Sequence, residues 1–67
     1  MKVRLKINGM DRGLIEVEDG ITGTELARRH KALPPVTLMK INGRFTPLPE
    51  KIKDGDEVEL IVTSSSG

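Results

Sequence analysis

Four short stretches of this chain alternate apolar and polar residues with a period of two, and that alternation limits its fold more than any other feature. In the run from Met1 to Ile7, Val3, Leu5 and Ile7 share one side while Lys2, Arg4 and Lys6 share the other. Leu14 to Glu18 sets Ile15 and Val17 against Leu14, Glu16 and Glu18. Thr37, Met39 and Ile41 alternate with Leu38 and Lys40, and Val58, Leu60 and Val62 with Glu57, Glu59 and Ile61. Each stretch reads as a strand with one face turned to a core. Asn8-Gly9 and Gly13 punctuate a short loop, so the first two strands form a hairpin.

The remaining signals fix the connections. Thr22-Gly23-Thr24-Glu25 matches a capping box and predicts one helix, running from Thr22 to Leu33. Leu26, Ala27, His30 and Leu33 form its packed side, Arg28, Arg29 and Lys31 face water, and Pro34-Pro35 stops it. Asn42-Gly43 closes the third strand with a tight turn. Arg44 to Leu48 adds only a short strand because Pro47 and Pro49 each remove a donor. Ile52 is a core plug, and Asp54-Gly55-Asp56 turns the chain into its last strand.

The polar faces order the strands. The outer faces carry Glu16 and Glu18 on the second strand, Lys2, Arg4 and Lys6 on the first, Glu57 and Glu59 on the last and Lys40 on the third. Opposite charges alternate if the order is second, first, last, third, and like charges directly opposed across neighbours would be destabilising. A helix crossing over the apolar face then places the first and last strands side by side and parallel, by the right-handed crossover rule. The expected fold class is α+β, a mixed sheet of four to five strands with one main helix on one face. The same phase turns Leu38 and Ile61 outward as neighbours, a candidate partner-binding pair.

Composition excludes several functions. At 67 residues there is room for one domain with a small core, and a deep substrate cavity is not expected. The chain has 11 Lys and Arg against 10 Asp and Glu, and Phe45 is its only aromatic, so neither a basic surplus nor a stacking platform for nucleic acid is present. Without cysteine it has no thiolate nucleophile, disulfide or thiolate metal site, which suits the cytoplasm. No apolar run approaches the length of a membrane span. His30 stands without cysteine partners and is read as packing at the helix end, so no metal site is expected. Gly20-Ile21-Thr22-Gly23-Thr24 lacks the Gly-Lys-Ser/Thr of a phosphate-binding loop and is read as a helix cap. Arg28-Arg29-His30-Lys31 is read as a solvated face. No nucleophile–base pair can be assembled, so the chain is expected not to be an enzyme and to hold no cofactor.

Residues 1–62 are thus expected to form the domain and residues 63–67 a tail. Thr63-Ser64-Ser65-Ser66-Gly67 contains only small residues, and fully extended it spans at most roughly 17 Å, enough to enter an active site on another protein. The tail is expected to be disordered in a free, monomeric protein.

The succession of strand hairpin, helix, Ile41-Asn42-Gly43-Arg44, Lys53-Asp54-Gly55-Asp56-Glu57-Val58-Glu59 and a small-residue tail resembles the ubiquitin-like beta-grasp sulfur-carrier family. That family includes the thiamine-biosynthesis carrier and the small subunit of molybdopterin synthase. The resemblance implies that an adenylating partner enzyme activates the C-terminal Gly67 with its own ATP and magnesium. A sulfur donor then converts the acyl-adenylate to a thiocarboxylate for an acceptor enzyme, or the end is conjugated to another protein. The family pattern ends in Gly-Gly, whereas this chain has Ser66-Gly67. The alternative is a non-activated beta-grasp binding module that uses its outer sheet face.

Overall fold

In the computed structural model, which describes residues 1–32 and 36–63, one five-stranded mixed sheet packs against one helix. The strands are β1 (Lys2–Ile7), β2 (Met10–Glu16), β3 (Thr37–Ile41), β4 (Arg44–Thr46) and β5 (Glu57–Val62), and the helix α1 is Gly23–Arg29. Their order is β2-β1-β5-β3-β4, with β1 and β5 parallel and every other pair antiparallel. For β2, β1, β5 and β3 this is the order that charge alternation selected, and β1 and β5 lie side by side and parallel, as expected for strands joined by a crossover.

The inner face is apolar for the reason the alternation gives. Val3, Leu5, Val58 and Leu60 are fully buried, Met39 nearly so, and α1 lays Leu26 and Ala27 into the same cluster. Ile21 and Ile52 close the core from the connections, and Ile52 N–H donates to the Ile21 carbonyl at 2.9 Å. Burying a side chain of this size stabilises by about 1.5–3 kcal/mol, so a core this small depends on each of them.

Three local features differ from the sequence expectation. The first hairpin has no extended loop: Asn8 (φ 51°) and Gly9 (φ 82°) alone make the turn, and β2 begins at Met10. Gly13 (φ 77°) is instead a bulge inside β2. Leu5 pairs with Gly13 and Lys6 with Asp11, leaving Arg12 as the extra residue, and Asp11 Oδ1 accepts from Gly13 N–H at 2.7 Å. A bulge on one edge and Pro47 immediately after β4 on the other both discourage further strand pairing.

The helix starts at the expected cap. Thr22 Oγ1 accepts from Glu25 N–H, and Glu25 Oε1 accepts from Thr22 N–H, both at 3.2 Å. It ends at Arg29, however, and not at Leu33, which lies outside the described residues. Lys31 adopts φ 59°, its N–H donates to the Arg28 carbonyl at 3.1 Å, and Ala32 N–H reaches back to the Ala27 carbonyl at 2.8 Å. This is a Schellman ending with lysine where glycine is usual, and buried Ala32 and Ala27 supply its apolar contact. His30 is the exposed C-cap, so its expected packing role does not hold.

Glu18 is the third difference. It lies beyond β2, and its carboxylate accepts two hydrogen bonds from the Arg29 guanidinium, one of them from Nη1 at 2.6 Å, tying α1 to the hairpin. It therefore does not extend the charged outer face. The Arg29 hydrogen bonds hold the Glu18 pKa at about 2, against an ordinary 4.5. A pKa depressed on folding contributes stability that is present above pH 4.5 and lost as the pH falls through 2. We expect Glu18→Gln to flatten the acid limb of the stability–pH profile over that window, measured by urea denaturation at a series of pH values.

Gly23, the first residue of α1, owes its identity to space. A Cβ there would overlap the Met39 sulfur and lie 2.7 Å from the Leu48 carbonyl oxygen. Gly23→Ala should destabilise by about 1–3 kcal/mol by overpacking, read from equilibrium unfolding.

Candidate functional site

The outer face of the sheet carries a row that crosses all five strands. Asp11 on β2 faces Lys6 on β1, Lys6 faces Glu59 on β5, Glu59 faces Lys40 on β3, and Lys40 faces Phe45 on β4. The signs alternate, and the last step replaces an anion with a π face. Lys40 Nζ sits 4.7 Å from the Phe45 ring centroid, a cation–π contact. Arg4, one step up β1, faces Glu57 by register and closes an ion pair with Asp11 at 2.8 Å. The Asp11 pKa is lowered, first by the Gly13 N–H bond and then by the Arg4 charge.

Leu38 and Ile61 lie beside this row, opposite one another on β3 and β5. Leu38 is 49% exposed and Ile61 half-buried. The structure adds Phe45, 66% exposed, which the sequence reading did not single out. Its signal was available: a two-residue Asn42-Gly43 turn sets Phe45 opposite Lys40 and therefore on the outer face. Leu38 and Phe45, with Met39, Pro47 and Leu48, are among the residues that line an open groove of about 360 Å³. A contiguous apolar patch with a cationic neighbour has the chemistry of a protein-docking surface. Leu14, 65% exposed on β2, lies apart from it across β1 and β5.

β5 carries the patch toward the chain's C-terminal segment. Beyond Ile61, Val62 N–H donates to Asn8 Oδ1 at 2.8 Å, and the amide and hydroxyl of Thr63 donate to the Val36 carbonyl at 2.7 and 2.8 Å. Thr63, read in the sequence as the first tail residue, is therefore bonded to the segment leading into β3. Ser66 and Gly67, the expected activation residues, lie outside the described residues.

Among the described residues no three metal-ligating side chains come together, and no helix is long and apolar enough to cross a membrane. A search of known protein families gives no match to this chain, and a search of curated proteins gives none.

Leu38→Asp and Phe45→Ala should each change stability by no more than about 1 kcal/mol, because both side chains are largely outside the core. Met39→Ala, one residue away on the inner face, should cost about 2–5 kcal/mol. Thermal unfolding of the three variants side by side separates the two faces of β3.

Proposed function

We propose that the chain is a ubiquitin-like beta-grasp carrier whose C-terminal carboxylate is activated by a partner enzyme. The observation that carries this reading is the position of β5. It is a central strand, parallel to β1, that presents Ile61 beside Leu38 and then leads into the terminal segment, so that a docking surface and a reactive end share one strand. A partner that grips the patch has the carboxylate within tail's reach: four residues beyond Thr63 span at most about 14 Å.

The chemistry asks for one group on this chain. The Gly67 carboxylate attacks the α-phosphorus of ATP held by the partner, forming an acyl-adenylate and releasing pyrophosphate. A hydrosulfide from the sulfur donor then attacks the acyl carbon, AMP leaves, and a thiocarboxylate remains. Attack by a lysine amine instead gives an amide, which is conjugation. ATP and magnesium belong to the partner, and no base or metal of this chain enters either step. Glycine at the end suits a confined site, since it lacks the Cβ that would collide as the carboxylate aligns.

The outward apolar residues and the groove also favour a second reading, a binding module whose sheet face is the whole functional surface. Pyrophosphate exchange with the activating enzyme of the source organism, together with intact mass after adding a sulfur donor, decides between them. We expect ATP-dependent exchange and replacement of one oxygen by sulfur. Deleting Gly67 should abolish exchange, and appending one glycine should raise its rate. Equal turnover by all three chains, or none by any, rejects the carrier and leaves the module.

A further inference from the structure

The strand that leads to the terminal segment outruns its neighbour. β1 ends at Ile7, opposite Leu60, and the next residue, Asn8, donates its N–H to the Leu60 carbonyl at 2.9 Å before turning into the hairpin with φ 51°. In a continued parallel ladder Val62 N–H would donate to the main-chain carbonyl of residue 8. Here the Asn8 side chain takes that place, its Oδ1 accepting from Val62 N–H at 2.8 Å. On the other flank both donors of Thr63 meet one carbonyl, that of Val36. β5 is thus held through Val62 on the β1 flank and, on the β3 flank, through Thr63, one residue past its own last strand residue.

We infer that Asn8 and Thr63 are positioning residues that fix where and in which direction the chain leaves the sheet, so that the segment presented to a partner starts after Thr63. This inference rests on the carrier reading. A reaction at the end of a short tail depends on how many residues must be ordered to bring the carboxylate to the phosphorus. Releasing Val62 and Thr63 would leave those two residues for a partner to order, and the point at which the chain leaves β5 would no longer be fixed relative to Ile61 and Leu38. The first hairpin, which has no outward apolar member beside the patch, thereby acts on the far end of the chain.

Asn8→Gly tests this, because glycine keeps the positive φ of the turn and removes the side-chain acceptor. Asn8→Asp retains an acceptor oxygen and serves as the rescue. Asn42→Gly is the control: at the other end of β5 it removes the corresponding bond from Glu57 N–H to Asn42 Oδ1, together with that from Asn42 Nδ2 to Asp56 Oδ1. Two measurements are made on each chain: amide hydrogen exchange, and pyrophosphate exchange with the activating enzyme. In Asn8→Gly the Val62 amide should exchange about tenfold faster while Val58 and Leu60 hold their rates. The adenylation kcat should fall about three- to tenfold with KM for the carrier unchanged, since the docking patch is intact. Asn8→Asp should restore both, and Asn42→Gly should leave kcat at the parent value.

Unchanged exchange at Val62 in Asn8→Gly overturns the clamp. Faster exchange with unaltered kcat, or an equal loss of kcat in Asn42→Gly, reduces it to a structural bond and overturns the positioning role. A parent chain that is never adenylated rejects the carrier reading and the positioning role with it, while the exchange rates still report separately on the clamp.

Discussion

The structure depends on how β5 is seated. It enters the sheet last in sequence yet lies between β1 and β3, and both neighbours end in the same device, an Asn-Gly turn whose asparagine reaches across to β5. Asn42 binds the start of β5: its N–H donates to the Glu57 carbonyl at 2.8 Å, and its Oδ1 accepts from Glu57 N–H at 2.9 Å. Asn8 binds the end, through Val62. Aspartate at position 42 would offer the acceptor but not the amide donor that Asn42 Nδ2 gives to Asp56 Oδ1 at 3.1 Å. The Asp54-Gly55-Asp56 turn completes the seat, with Lys2 N–H donating to Asp54 Oδ1 and Gly55 N–H to the Lys2 carbonyl. A long-range parallel pairing is slow to form, because loop entropy is lost before its contacts are gained. Side-chain bonds at both ends of β5 stabilise its register once it is found.

Seating β5 centrally also divides the labour of the two sheet faces. The inner face is spent on a core in which each apolar side chain counts, so it has little tolerance for functional residues. The outer face has no such duty. Its alternating charges contribute little stability individually but oppose misregistered pairing. The interruption of that pattern by Leu38, Ile61 and Phe45 occurs beside the strand end from which the terminal segment departs. Apolar side chains scattered singly would need no explanation; three gathered there form a candidate docking surface, which the carrier and the binding-module readings share.

Most of this was legible because the signals were local and periodic. Val3, Leu5, Val58 and Leu60 announced their burial by alternation with charge, and the phase that buried them also turned Leu38 and Ile61 outward. Phe45 was equally within reach, since the Asn42-Gly43 turn sets its register, but a three-residue strand carries too short an alternation to draw notice. Gly13 misled because the same left-handed backbone serves a loop and a bulge, and only pairing with β1 distinguishes them.

The sequence by itself determined four of the strands, their faces and, through the charge pattern, their order, because strand periodicity and cross-strand charge are properties of neighbouring residues; the short β4 carried no charge signal that placed it. Only the tertiary structure decided where α1 stops, since Lys31 takes a left-handed conformation for the burial of Ala32 against Ala27 and no glycine marks the place. It alone withdrew Glu18 from the sheet face to Arg29, eleven residues on. It alone brought the Asn8 side chain, 54 residues away in the chain, to the amide of Val62. Such bonds leave no trace in periodicity, because they exist only when distant segments have already been placed side by side.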